Sequence, residues 1–295
     1  MSEFDIQAFP ALLLAPVLEA GRTARRIARE PVTAVTKSDG SPVTRADWES
    51  HTLLVTALEA LRTGWPIVSE ESCEGASCPS ELAESAMDTP YWCVDPLDGT
   101  KEFLKKNGEY TINVALIRAG RPVLGLVYAP EPDVLWAAAA GAGAWRLPDA
   151  GASTLDSDFR KGTRRRPEGA ESLAPGSRPA DNRPLTAVIS RSHAAPETLE
   201  NLRSTGFAEV VRRGSSVKMC AVAEGSADLY PRFGPTCYWD TAAGTAVARE
   251  AGCRVVAPDG SDLSYALQPT LKHPAFLVLN PQRVEPDIGA RLRRA

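Results

Sequence analysis

Histidine is scarce in this 295-residue chain, with His51, His193 and His273 the only three. None sits in a Ser-His-Asp or similar nucleophile motif, so the sequence offers no activated side-chain nucleophile and direct attack by water becomes the better expectation. Long apolar runs are missing as well. No stretch approaches the roughly 18 residues needed to span a bilayer, which excludes a helical membrane anchor. Acidic Glu3 and Asp5 at the N-terminus, and the short run from Leu12 to Leu14, supply no signal-peptide core. The six cysteines contain no C-x-x-C pair, and no histidine stands at a metal-ligand spacing from them. Most lie in apolar context and read as reduced thiols of a cytoplasmic protein, with peripheral attachment to the inner membrane left open. Cys73 and Cys78, in a polar loop, are the pair open to a redox role. Excess positive charge is lacking: the net charge of −4 argues against a nucleic-acid-binding surface.

What is present is the composition of a soluble globular enzyme, 43% hydrophobic and 24% charged, long enough for one large domain or two ordinary ones. The chain is organised around Tyr91-Trp92-Cys93-Val94-Asp95-Pro96-Leu97-Asp98-Gly99-Thr100-Lys101-Glu102-Phe103. Tyr91 to Val94 reads as a buried strand. Pro96 fixes its own φ and holds Asp95 extended, and Gly99 permits a geometry closed to residues with a Cβ. Such a turn can aim Asp95, Asp98 and the Leu97 carbonyl at one point. Clustered hard oxygens suit Mg²⁺, which takes near-octahedral oxygen ligands at about 2.1 Å. The plain alternative is an Asp-rich turn whose carboxylates cap backbone amides.

Before this stretch a helix is predicted from about Pro16 to Glu30, and Asp39-Gly40 marks a turn. Thr44 and Asp47 have the spacing of a capping box at the start of a second helix, which stops near Gly64. Pro66 to Ser72 reads as a short strand ending in Glu70 and Glu71. Neighbours on a strand point to opposite faces, so at most one should face a shared site. Tyr110–Ile117, Pro122–Tyr128, Val134–Ala139 and Gly141–Arg146 form a meander, so the first part, 1–147, is expected as an antiparallel sheet covered by two helices. Residues 148–184, rich in Gly, Ala, Ser, Pro and Arg and holding Lys161-Gly162-Thr163-Arg164-Arg165-Arg166, read as a solvated, mobile linker. Residues 185–295 alternate strands (185–189, 208–212, 227–230, 254–257, 275–279) with helices (196–204, 216–224, 239–251, 281–293), the pattern of a mixed α/β layer.

Three places in this last part could carry chemistry. Gly214-Ser215-Ser216 opens a helix, whose N-terminus favours anions. Tyr230-Pro231-Arg232 sets an arginine fork in a stiff loop, suited to phosphate or, alternatively, to a surface salt bridge. Asp240 opens a helix, either as a complement to its dipole or as a ligand. Glu70, Asp95, Asp98 and Asp240 all stand at the ends of predicted elements. Carboxylates gathered in one cleft require cations, and two or more Mg²⁺ ions can clamp a phosphate ester and activate water.

On these residues the chain resembles the inositol monophosphatase superfamily of Mg²⁺-dependent, lithium-sensitive phosphatases. The carrying motifs are Asp95-Pro96-Leu97-Asp98-Gly99-Thr100 and Trp239-Asp240-Thr241-Ala242-Ala243-Gly244. Lys101-Glu102-Phe103, Gly214-Ser215-Ser216, Leu229-Tyr230-Pro231-Arg232 and Ser190-Arg191-Ser192-His193 point to its bisphosphate nucleotidase branch. The resemblance runs from about Lys37 to Phe276 without the Arg-rich segment, which departs from the family pattern. It implies an α/β (α+β) fold, a layered αβαβα sandwich with an antiparallel half followed by a mixed half. It implies that Glu70, Asp95, the Leu97 carbonyl, Asp98 and Asp240 hold two or three Mg²⁺ ions. Thr100, backed by Asp47, would orient the attacking water, and the Gly99 and Thr100 amides would hold phosphate oxygens. Lys101, Ser216, Lys218 and Arg232 are implied nucleotide contacts, and His193 a base or ribose contact.

The activity so implied is removal of the 3′-phosphate from adenosine 3′,5′-bisphosphate, a by-product of sulfate assimilation, by a monomer or homodimer. An inositol-1-phosphate or related sugar-phosphate phosphatase is the alternative within the superfamily. A non-catalytic nucleotide- or RNA-binding module using the Arg-rich segment is the alternative outside it.

Overall fold

The computed structural model describes residues 5–38, 40–73, 77–78, 82, 89–152, 159, 165–177, 182–192, 196–285 and 287–294. Its frame is a seven-stranded sheet in the order β3-β4-β5-β6-β7-β8-β9. These strands are β3 (Ile67–Ser69), β4 (Tyr91–Asp98), β5 (Thr111–Arg118), β6 (Arg121–Ala129), β7 (Val134–Ala139), β8 (Gly143–Leu147) and β9 (Glu171–Leu173). Only the β3–β4 pair is parallel; the rest is the expected antiparallel meander.

Both faces of this sheet are buried, so its strands are apolar runs rather than alternating ones. The period of two still decides which residue meets which layer. Trp92, Val94, Ile112, Val114, Leu126 and Tyr128 pack with α1 (Phe9–Ala28) and α2 (Arg45–Ala60). Their neighbours Cys93, Ala115, Ile117 and Val127 pack with α5 (Val217–Ala223) and α6 (Tyr238–Glu250). Two glycines let these layers close. A Cβ on Gly21 of α1 would lie 2.2 Å from the Tyr128 ring, and one on Gly125 of β6 would lie 2.3 Å from the Ala243 carbonyl of α6.

Beyond α5 and α6 lies a second sheet, in the order β11-β10-β12-β16-β14. It comprises β10 (Thr186–Ser190), β11 (Glu209–Arg213), β12 (Leu229–Arg232), β14 (Arg254–Val256) and β16 (Phe276–Leu279). Its pairing is mixed: β10 runs parallel to β11 and β12, while β16 runs antiparallel to β12 and β14. Its outer face packs Ile189, Leu229 and Leu277 against Leu202 of α4 (Pro196–Ser204) and Ile288 and Leu292 of α7 (Ile288–Arg294). The order of layers is helix, sheet, helix, sheet, helix, as the family resemblance implies.

Several elements differ from expectation, each for a tertiary or local reason. Helix α1 starts at Phe9: Pro10 sits in the first turn, where its missing N–H costs nothing, and Pro16 is carried inside the helix. The hairpin β1 (Ala34–Thr36) with β2 (Pro42–Thr44) is new. Glu70 and Glu71 lie on a 3₁₀ turn, Glu70–Ser72, rather than on a strand, so strand alternation does not separate them. Strand β4 does not stop at Val94 but runs to Asp98 through a register shift between Asp95 and Asp98. Arg232 lies in β12, not in a loop. A two-stranded ladder joins β13 (Thr236–Cys237) to β15 (Lys272–His273). Helix α7 begins only at Ile288; just after β16 the Asn280 side chain accepts from the Gln282 amide and holds a turn where the helix was expected to start.

Within the segment read as a linker, Glu171–Leu173 is a paired edge strand and Pro175–Ser177 a 3₁₀ turn. Lys161 to Arg164 lie outside the described residues. Arg165 pairs with Asp5 at 3.0 Å, and Arg166 donates to Ser172. Cys73 and Cys78 are free thiols.

Candidate metal centre and phosphate cleft

The site begins where β4 leaves its register. Asp95 faces Asn113 of β5 and Asp98 faces Thr111, so two positions on β5 span three on β4. Such a bulge re-aims side chains. Asp95 is wholly buried; its Oδ1 accepts from the Leu97 amide at 3.0 Å, and its Oδ2 has no partner. Gly99 follows at φ +98°, and a Cβ there would stand 3.1 Å from the Glu109 carbonyl. Both the backbone and the space require glycine. The chain then enters α3 (Thr100–Leu104), unforeseen from the sequence.

Asp240 is delivered to the same cluster by the first turn of α6. It completes a capping box, its Oδ2 accepting from the Cys237 amide at 2.9 Å. Carboxylate oxygens of Asp95, Asp98 and Asp240 lie within 4.8 Å of one another. Ser216 braces this group: its Oγ is 2.8 Å from Asp98 Oδ2 and 2.7 Å from the Asp240 carbonyl, and it accepts from Asn113 Nδ2 at 2.9 Å.

Burial drives the Asp95 carboxyl well above its usual range, and the charges of Glu70, Asp98 and Asp240 add to it. The same two causes push Asp240 up to about 8. Asp98 is raised by burial despite the opposing charge of Lys218. Glu70 lines the same cleft and is pushed up to about 7, again by burial first. Lys37, brought in by the β1–β2 hairpin, donates to Glu70 at 3.1 Å and to Glu71 at 2.7 Å. Both glutamates therefore reach one cation, and their charges outweigh the burial that would otherwise lower Lys37. Among the described residues no lysine is hydrogen-bonded to Asp95, Asp98 or Asp240; Lys218 acts on Asp98 through its charge while its ammonium donates to the Ser215 carbonyl. A buried acceptor without a partner, amid hard oxygens that resist ionisation, fits a divalent oxygen-seeking cation.

Asp47 caps a helix and also reaches Thr100. One oxygen caps α2, accepting from the Thr44 amide at 2.8 Å and the Thr44 hydroxyl at 2.6 Å. The other accepts from Thr100 Oγ1 at 3.1 Å. The Thr100 hydroxyl thus has its hydrogen committed to Asp47 and its lone pairs left for the cleft.

The cleft has a volume of about 440 Å³ and is lined by Glu70, Asp98 and Asp240 as well as by Lys218, Tyr230 and Arg232. Lys218 is buried, donates to the Ser215 carbonyl at 2.5 Å and lies 5.4 Å from the centre of the Tyr230 ring. Burial lowers it to about 8 against the pull of Asp98. Arg232 is seated by Nε on Thr236 Oγ1 at 2.9 Å and by Nη2 on the Pro235 carbonyl at 3.3 Å. Lys101 lines the cleft from α3 and is exposed. His193 lies outside the described residues.

Sequence reasoning missed Lys37, Asn113 and Ser215. The signal for Ser215 was present in Gly214-Ser215-Ser216, of which only Ser216 was singled out. Both serines line the cleft: Ser216 bonds to Asp98, and Ser215 sits at φ +43° with a buried hydroxyl that has no hydrogen-bond partner. A non-glycine residue held at positive φ beside a cleft is a mark of functional constraint.

Comparison with known proteins places this geometry. The chain is 43% identical over 249 residues to the 3′(2′),5′-bisphosphate nucleotidase CysQ of Escherichia coli K12, covering 84% of this chain and 89% of that protein. It is 40% identical over 232 residues to the protein of that name from Buchnera aphidicola, with 78% and 77% covered. Among solved structures, CysQ from Bacteroides thetaiotaomicron, described as a bacterial member of the inositol monophosphatase family, superposes with a TM-score of 0.78 at 35% identity, over 96% of this chain and 100% of that one. Inositol monophosphatase from Anabaena shares the fold at a TM-score of 0.67 and 20% identity, over 99% and 98%. The inositol monophosphatase family profile matches residues 11–294. The chain belongs to the inositol monophosphatase family.

Proposed function

We propose that this protein is a Mg²⁺-dependent phosphatase that removes the 3′-phosphate of adenosine 3′,5′-bisphosphate, giving AMP and phosphate. The observation that carries the reading is the orphaned Asp95 Oδ2 inside a buried acidic cluster, two of whose members, Asp98 and Asp240, line a cleft together with Lys218 and Arg232. Glu70, Asp95, the Leu97 carbonyl, Asp98 and Asp240 would hold two or three ions, which when bound supply activation of water and neutralisation of the leaving oxygen.

The chain's own residues do the rest. Thr100, its hydrogen directed to Asp47, presents lone pairs that orient the attacking water. Burial raises the Asp47 carboxyl, which suits it to share the proton that Thr100 passes on. The Gly99 and Thr100 amides hold phosphate oxygens. Lys101, Ser215, Lys218 and Arg232 meet the rest of the nucleotide, with Tyr230 as an apolar floor. In this reading residues 1–147 and 185–295 form two halves that each supply part of the site. Lithium inhibition, a cytoplasmic location and a role in clearing a by-product of sulfate assimilation belong to the same proposal.

A steady-state panel of adenosine 3′,5′-bisphosphate, inositol 1-phosphate and fructose 1,6-bisphosphate, with and without Mg²⁺ and Li⁺, tests it. The bisphosphate nucleotide should have the highest kcat/KM, with turnover lost without Mg²⁺. Preferred turnover of inositol 1-phosphate would replace the nucleotidase assignment with that of an inositol phosphatase.

A further inference from the structure

Arg191 and Ser192 take no part in the reaction as described, yet both side chains are spent on carboxylates that follow the phosphate turn. Arg191 forks onto Glu109, Nε to Oε2 and Nη2 to Oε1, each at 2.6 Å. The same Oε2 accepts from the Gly214 amide at 2.8 Å. Arg191 is itself tied to β11, its amide donating to the Arg213 carbonyl and its Nη2 to the Arg212 carbonyl, both at 3.0 Å. Ser192 donates to the buried Glu102 of α3, and Lys105 donates to Ser192 at 3.3 Å.

The backbone of Glu109 is wedged between two glycines from distant parts of the chain. Its carbonyl lies 3.1 Å from where a Gly99 Cβ would stand and 2.6 Å from where a Gly214 Cβ would stand. Glu102 Cγ is 3.0 Å from that same Gly214 position, and Ser215 Cβ is 3.6 Å from the Gly99 position. There is no slack here for a side chain. The separation of the Gly99–Thr100 turn from the Ser215–Lys218 wall is therefore set by Glu109, and Glu109 is held by charge-assisted bonds, the strongest class of hydrogen bond available to it.

We propose that Glu109 and Arg191 are positioning residues, a clamped wedge that fixes the width of the cleft and so selects phosphate esters long enough to touch both walls. This rests on the reading that the phosphate turn and the Ser215–Lys218 wall take opposite ends of one substrate. Neither residue contacts the reacting atoms. A misplacement of about 1 Å is enough to spoil productive binding.

The test compares Arg191→Met, Glu109→Gln and the double variant on two substrates, adenosine 3′,5′-bisphosphate and p-nitrophenyl phosphate, which lacks the nucleoside and the second phosphate. Each single change should raise KM for the nucleotide about tenfold while kcat stays within about threefold. The double variant should be no worse than the worse single one, because both remove the same clamp. For p-nitrophenyl phosphate kcat/KM should stay within about twofold of the parent.

Equal losses on both substrates, losses that multiply in the double variant, or a lowered Tm with unchanged KM would each overturn the inference. A parent enzyme that hydrolyses p-nitrophenyl phosphate but not the nucleotide would instead sink the nucleotidase reading. In that event hydrogen exchange at the Gly214 amide decides: exchange faster by about tenfold in Arg191→Met supports the clamp, and unchanged exchange overturns it.

Discussion

Asp228 and Asp95 are both wholly buried, and their surroundings are opposite. Asp228 accepts from Arg183 at 2.6 Å, from Arg283 at 2.7 Å and from the Thr186 amide at 2.9 Å. Its backbone bonds to Thr186 and Asn280 tie β10, β12 and the end of β16 together. Every charge it needs comes from the chain. The Asp95 carboxyl receives one N–H, from the Leu97 amide, and otherwise meets acids: Asp240, with which it can share only a proton, and Glu70 and Asp98 as further charged neighbours. The same side chain at the same depth is a structural rivet in one place and an unmet demand in the other. Burial alone says nothing about function; what decides is whether the opposing charge is supplied from within.

Substitution at each place should separate the two cases most widely. Asp98→Ala should cut turnover by at least about a thousandfold, because it removes one of the groups that hold the charge-stabilising ions. The metal-free variant should melt no lower than the parent, since one of several mutually repelling carboxylates is gone. Asp228→Asn should do the reverse. It removes the buried negative charge to which Arg183 and Arg283 both donate and should cost about 3–5 kcal/mol of stability, with kcat per folded molecule unchanged. Thermal melts beside initial rates check both, and the contrast breaks if Asp98→Ala melts as low as Asp228→Asn.

A smaller effect is expected at His273, a buried group that neither supplies charge nor demands it. Its ring stacks on Tyr238 and meets Tyr265 edge-on, both with centres 4.6 Å away, and Nε2 has no partner. Burial lowers it from 6.5 to about 4. A depressed value means that the unfolded chain takes up the proton first. Its contribution is full above about pH 6.5 and is lost as pH falls towards 4. His273→Phe keeps the stack and should remove about 1–3 kcal/mol of that acid loss while changing little at pH 8. Melting curves across this range measure it; an unchanged acid slope would mean that His273 is not the group responsible.

The same distinction between local and distant causes explains what was legible in the sequence. The Thr44–Asp47 capping box, the β5–β8 meander and most of the later alternation depend on neighbours in sequence, and they stand as expected. The carboxylates could be picked out because each stands at the end of an element predicted from the sequence, and three of them do meet, although β4 carries on past Asp95 to Asp98. The Lys37–Glu70–Glu71 contact could not be foreseen, because it needs a hairpin whose strands are three residues each, the first of them wholly exposed. Nor could the two serines' roles be told apart: Ser215 is set at a positive φ next to Gly214, whose amide is held by Glu109 over a hundred residues away, and Ser216 bonds to Asp98. The β13–β15 ladder, two residues a side, has too little pattern to read, yet it braces the start of α6.

The most direct test is calorimetric titration of Mg²⁺ into the metal-free protein at pH 7, repeated in buffers of different ionisation heat. Asp240, pushed up to about 8, and Glu70, pushed up to about 7, both hold protons part of the time at that pH. Binding should therefore release protons, and Asp98→Ala should weaken it by at least about tenfold. Undiminished affinity in Asp98→Ala, or binding to the parent with no proton release, would contradict the claim that these buried carboxylates are held in wait for a cation.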